Sequence, residues 1–173
     1  MFDECHELKS LTLMKSTPLR GHNIRLLNSC AATLEELNLS HQGITSMEGF
    51  NLPFLHTLIL HDNQVDSMLG IEGLPHLQKL CLSRNRICKM EYLHHVGDLR
   101  ELYLQANLIE YIDESVQTLT ELQSLSLAGN KVREVIQIIT SLFQFLTKLF
   151  FILIKGNGTN YIFIRSFCLS DSW

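Results

Sequence analysis

Leucine recurs along this chain in one six-residue figure, Leu-x-x-Leu-x-Leu. It begins at Leu34, Leu55, Leu77, Leu99 and Leu122, with starts 21, 22, 22 and 23 residues apart. Three residues after the last leucine of each figure stands an amide: Gln42, Asn63, Asn85, Asn107 and Asn130. Two residues further on stands an aliphatic side chain: Ile44, Val65, Ile87, Ile109 and Val132. The Leu-x-Leu alternation predicts a short strand that points two side chains into a core and turns the residues between them outward. A buried amide at its end offers both donors and acceptors to backbone groups that the turn would otherwise strand. In the second half of a unit the apolar residues come every third position, as in Val65, Met68, Ile71, Leu74 and Leu77, or Ile87, Met90, Leu93, Val96 and Leu99. Period three suits 3₁₀ turns rather than an α-helix. No unit of this size can bury its own leucines, so the units must stack.

The pattern L-x-x-L-x-L-x-x-N-x-I resembles the leucine-rich repeat. The spacing resembles the 22-residue class typified by the leucine-rich regulatory subunit of protein phosphatase 1, a class also found in spliceosomal, centrosomal and axonemal proteins. The resemblance implies an α/β solenoid with a curved parallel sheet on the concave side and 3₁₀ or short helical turns on the convex side. It covers residues 34 to about 135 strongly and residues 5–33 weakly. Two departures stand out: Gln42 takes the place of the ladder asparagine, and one extra residue follows Ile112 before Leu119 and Leu122.

Both ends differ from the middle. Upstream, Leu8-x-x-Leu11-x-Leu13 has Ser16 at the asparagine position and an expected helix from His22 to Cys30. Residues 1–33 are therefore expected to form an irregular N-terminal repeat, ahead of five repeats over 34–134. Residues 135–173 hold eight of the 14 aromatic residues and carry a net positive charge, unlike the rest of the chain. From Val135 to Ile154 only Lys148 is charged, and 20 residues is the length of a membrane helix. Three expectations stand for this tail: a degenerate sixth repeat at Leu149-x-x-Ile152-x-Ile154, an apolar tail that packs poorly, or a membrane anchor.

About one residue in five is leucine, 32 of 173, so the repeat dominates composition as well as pattern. The net charge of −4 argues against a protein whose affinity comes from phosphates, so direct nucleic-acid binding is not expected. Five cysteines without a CxxC pair predict reduced thiols, and Met1 to Glu7 is acidic with no basic start to an apolar run, which speaks against a secretory signal. A cytoplasmic location is the expectation. The eight histidines are scattered, giving no expected metal site, and neither a P-loop, a nucleophile elbow nor a dinucleotide fingerprint occurs, giving no expected cofactor or catalysis.

A stacked array offers an extended surface, so the expected activity is protein binding. The outward column between the second and third leucines is Asn38, Ile59, Cys81, Tyr103 and Ser126; the one before it is Glu36, Thr57, Lys79, Glu101 and Ser124; the one after it is Ser40, His61, Ser83, Gln105 and Ala128. Ile59, Cys81 and Tyr103 give an apolar stripe, and Glu36, Lys79, Arg84 and Glu101 a charged rim, the anatomy of an interface. His61 and Gln105 extend the candidate face. In the phosphatase subunit that the repeat resembles, acidic and aromatic concave residues hold the enzyme. Only Glu36, Glu101 and Tyr103 are comparable here, and the resemblance does not carry that partner over. The expected role is a non-enzymatic adaptor or regulatory subunit for another protein. The alternatives are a ribonucleoprotein component, or a tail-anchored protein held by residues 135–154.

Overall fold

The computed structural model describes residues 7–13, 27–132, 151–154 and 162–164. The leucine figures form strands of three residues: β1 (Ser10–Thr12), β2 (Glu36–Asn38), β3 (Thr57–Ile59), β4 (Lys79–Cys81), β6 (Glu101–Tyr103) and β8 (Ser124–Ser126). They lie side by side and parallel with the central leucines in register: Leu11, Leu37, Leu58, Leu80, Leu102 and Leu125. Beyond β8 lie β9 (Phe151–Ile154), parallel and with Ile152 opposite Leu125, and β10 (Ile162–Ile164), antiparallel to β9. The sheet order is thus β1-β2-β3-β4-β6-β8-β9-β10. That register is the one a unit Leu149-x-x-Ile152-x-Ile154 would adopt. The last four residues of the 20-residue apolar stretch are strand, and among the described residues no helix is long and apolar enough to cross a membrane.

The alternation explains the core. Leu37, Leu39, Leu58, Leu60, Leu80, Leu82, Leu102, Leu104, Leu125 and Leu127 are all buried, and so are the period-three residues Val65, Met68, Ile71, Leu74 and Leu77 behind them. Each buried leucine contributes about 1.5 to 3 kcal/mol, and it does so only because the neighbouring turns cover it. The convex side carries 3₁₀ turns at Ile71–Gly73, Leu93–His95 and Glu114–Thr118. The extra residue after Ile112 is absorbed in the longest of these, where Asp113 caps the turn by accepting from Ser115 N at 2.8 Å and from the Ser115 hydroxyl.

Two features depart from the expectations. A second, two-stranded parallel sheet joins β5 (Lys89–Met90) to β7 (Tyr111–Ile112) behind the main one. Two residues of alternating exposure are too short a pattern to announce a strand. The helix expected from His22 to Cys30 falls partly outside the described residues; its end, 27–30, is a 3₁₀ turn with Leu27 and Cys30 buried.

Candidate functional site

The concave face is held in shape by amides. Asn63 donates from Nδ2 to the carbonyls of Leu60 and Leu39, both at 2.9 Å, and accepts at Oδ1 from Gln42 N and Ile44 N, both at 3.0 Å. Asn85 donates to Leu82 and Leu60 at 2.9 Å and accepts from Val65 N at 2.9 Å. Asn107 and Asn130 repeat the arrangement one and two turns on. Each side chain therefore ties its own turn to the preceding one. Gln42 reaches the Leu13 and Ser40 carbonyls, both at 3.2 Å.

Just before each amide the backbone turns left-handed: φ is 60° at His41, 53° at Asp62, 55° at Arg84, 56° at Ala106 and 69° at Gly129. Sequence reasoning names His41, Asp62 and Arg84 in this column as loop residues that binding recruits, but not their left-handed backbone. Its signal is faint, because only Gly129 among the five is a glycine. The turn carries His41, Asp62 and Arg84 on the rim of the sheet, and His41 Nδ1 lies 2.7 Å from Asp62 Oδ2, with the His61 ring edge-on to His41 at 5.5 Å.

On the sheet itself, register places Ile59 beside Cys81 and Cys81 beside Tyr103. All three are half-buried rather than fully exposed, and Glu36 is exposed. Lys79 and Glu101 are not independent rim charges. They face each other across β4 and β6, with Nζ 2.7 Å from Oε2. The Tyr103 hydroxyl donates to the same Oε2 at 3.0 Å, and Lys79 Nζ lies 5.6 Å from the Tyr103 ring centre. The Lys79 ammonium, helped by the tyrosine hydroxyl, holds the Glu101 carboxyl below its ordinary value; Glu101 in turn raises Lys79. The result is a locked Lys–Glu–Tyr constellation beside an apolar row.

The following column differs from the outward placement expected. Ser83 is fully buried, with Oγ 3.4 Å from Cys81 Sγ, because the sharp turn at Arg84 folds it beneath the rim. Ser126, in the column of Tyr103, is buried too. His61 and Gln105 are half-buried, and Gln105 Oε1 lies out of solvent with no hydrogen-bond partner among the described residues. At the opposite end of the strands an exposed Phe54 borders a cavity of about 500 Å³ with Lys9, Glu35 and His56. Comparison down its column would have found it, since the other units carry Thr33, His76, Asp98 and Glu121 there.

Parallel three-residue strands, an asparagine ladder and 3₁₀ turns define a leucine-rich repeat solenoid. The chain has the leucine-rich repeat fold, and its units are similar in length and pattern to those of the regulatory subunit of protein phosphatase 1. Over 98 residues it is 33% identical to acidic leucine-rich nuclear phosphoprotein 32 family member A of Drosophila melanogaster, a match covering 56% of this chain and 38% of that protein. Over 78 residues it is 36% identical to the protein phosphatase 1 regulatory inhibitor subunit PPP1R7 homolog of Arabidopsis thaliana, covering 44% of this chain and 24% of that one. The chain thus spans less than two fifths of these curated relatives. No protein-family model matches it. In fold it is similar to internalin C2 of Listeria monocytogenes, with a TM-score of 0.68, 24% identity and coverage of 86% of this chain and 67% of that one. A leucine-rich repeat protein of Leptospira interrogans gives a TM-score of 0.65 at 23% identity, over 86% and 43% of the two chains. At these identities the structural likeness concerns the fold alone.

Proposed function

We propose that this chain is a non-enzymatic, intracellular adaptor or regulatory subunit that binds another protein on its concave face. One observation carries the reading: the row Ile59–Cys81–Tyr103, with the tyrosine fixed by the Lys79–Glu101 pair beside it. An aromatic ring that is already immobilised loses little entropy on binding, and tyrosine is among the residues that dominate interface energetics. Glu36, Arg84, His61 and Gln105 extend the face, orienting the partner and giving its association rate a dependence on salt. Seven parallel strands at roughly 4.8 Å spacing give a ribbon about 29 Å long, enough for a partner contact of about 800 Å² once the rim turns are included. The names of both relatives, a nuclear phosphoprotein and a phosphatase regulatory subunit, support a regulatory role inside the cell and a cytoplasmic or nuclear location. The division into an irregular first repeat over 1–33, five repeats over 34–134 and an atypical end over 135–173 belongs to the same reading, supported by the registers of β1 and β9.

Quantitative affinity capture from lysate tests it, with isolated protein phosphatase 1 as one defined candidate. Tyr103→Ala and Ile59→Ala should each weaken a partner's binding by about 1 to 3 kcal/mol, while His94→Ala on the convex side should leave it unchanged. A partner that ignores both concave substitutions and is lost with His94→Ala places binding on the other side of the molecule.

A further inference from the structure

The flank that descends from the asparagine ladder carries a second surface. Leu108 and Tyr111 are the large apolar side chains exposed there, at 39% and 59%. Leu108 follows Asn107, and the matching residues of the turns on either side are Arg86 and Lys131, each anchored to the preceding turn by an equivalent backbone bond. Tyr111 pairs in register with Lys89, both pointing away from the core while Met90 is buried behind them. Arg86, Lys89 and Lys131 are exposed and make no ion pair among the described residues, unlike Lys9 and Lys79 on the concave sheet. The acids on this flank are Glu110, half-buried and between Leu108 and Tyr111 in sequence, and exposed Asp66 two turns before it in the same column. Three cations that make no ion pair among the described residues thus flank two exposed apolar groups on a chain whose net charge is −4.

We propose that this flank is a docking surface for an acidic peptide segment with an apolar anchor, distinct from the concave face. Charge complementarity selects the acidic character, because three cations that make no ion pair among the described residues attract a carboxylate-rich chain and repel a basic one. The anchor fills the space between Leu108 and Tyr111, where an aromatic or leucine side chain buries area against both. The patch spans three turns, roughly 10 Å at the strand spacing, which matches three or four residues of extended peptide and sets the affinity in the micromolar range. A polyanionic nucleic acid has less to gain, because three cations offer few phosphate contacts and its backbone brings no aliphatic anchor for Leu108.

Fluorescence anisotropy on the full chain decides the matter, with the labelled peptide EEDLWEDE as probe. Saturable binding is expected, weakened several-fold between about 50 and 500 mM salt. The combined Arg86→Glu, Lys89→Glu and Lys131→Glu variant should bind at least tenfold more weakly, Tyr111→Ala about fivefold or more, and the concave Tyr103→Ala should be unchanged. If the triple reversal does not fold, as judged by circular dichroism, the corresponding triple Gln variant takes its place. The proposal is overturned if no binding occurs, if the basic counterpart KKKLWKKK binds equally, or if the flank variants leave affinity unchanged. It is also overturned if a labelled single-stranded RNA binds more tightly through the same residues, or if sedimentation shows a dimer abolished by Tyr111→Ala.

Discussion

Asn85 shows how much one side chain does here. Its amide completes three hydrogen bonds at 2.9 Å within a buried turn, joining the carbonyls of Leu82 and Leu60 to the backbone N–H of Val65. Asn85→Ala strands all three groups out of water, so it should destabilise the protein by about 1 to 3 kcal/mol, seen as a lower urea midpoint. Gln42 indicates that the column needs an amide, its Nε2 bonding the Leu13 and Ser40 carbonyls at 3.2 Å. The Lys79–Glu101 pair makes a second prediction. Glu101 is held below its ordinary 4.5, so its contribution is present above that value and is lost as the pH falls through the lower folded value. Lys79 is held above its ordinary 10.5, so its contribution is present below that value and fades as the pH rises past it. Both side chains are more than a third exposed, which keeps the effect below about 1 kcal/mol. Urea midpoints taken from about pH 6 to pH 3 should fall less steeply for Glu101→Gln than for the wild type.

Turns set the limits at the next scale up. Gly70 and Gly129 both have positive φ, 101° and 69°, but their surroundings differ. A Cβ at Gly129 would lie 3.6 Å from the Ala106 backbone, in ordinary contact, whereas at Gly70 it would collide with the Met47 carbonyl. Ala106 already occupies the left-handed position one turn before Gly129. Gly129→Ala should therefore cost about 1 to 2 kcal/mol, the conformational penalty alone. Gly70→Ala should exceed it by at least about 2 kcal/mol, since the stacked turn cannot retreat without opening the core. Thermal unfolding of the two variants side by side measures the difference. Tyr92 takes the left-handed position that Gly70 fills one turn earlier, with φ 65° and its side chain packed on the core. That packing offsets the strain of a non-glycine residue there.

At the scale of the whole molecule, every turn depends on its neighbours, so the ends decide solubility. β8 is covered by β9 in parallel register, and β10 pairs antiparallel on the far side of β9. Ending the chain after Val132 would leave β8 as an open edge above Leu122, Leu125 and Leu127. Such a truncation should form concentration-dependent oligomers or aggregates by light scattering, while the full chain stays dispersed. Unimpaired monodispersity of the truncated form would mean that the repeats terminate themselves.

The strands of the leucine figures, their register, the buried leucines and the subclass of the turns were legible in the sequence, because each follows from a periodicity that only one geometry satisfies; β5 and β7 were not, being too short to carry one. Alternation at Leu37 and Leu39 needs a strand, spacing by three from Val65 to Leu77 needs 3₁₀ turns, and neither depends on distant residues. The outward positions could be named but not their state. That Lys79, Glu101 and Tyr103 lock together, that Ser83 folds beneath the rim, and that Leu108 shares one flank with Arg86 and Lys131 were decided only when the turns stacked. The reason is physical: core positions are set by burial within one repeating unit, whereas a surface is made between units, where chain direction, left-handed turns and cross-strand register together choose which side chains meet.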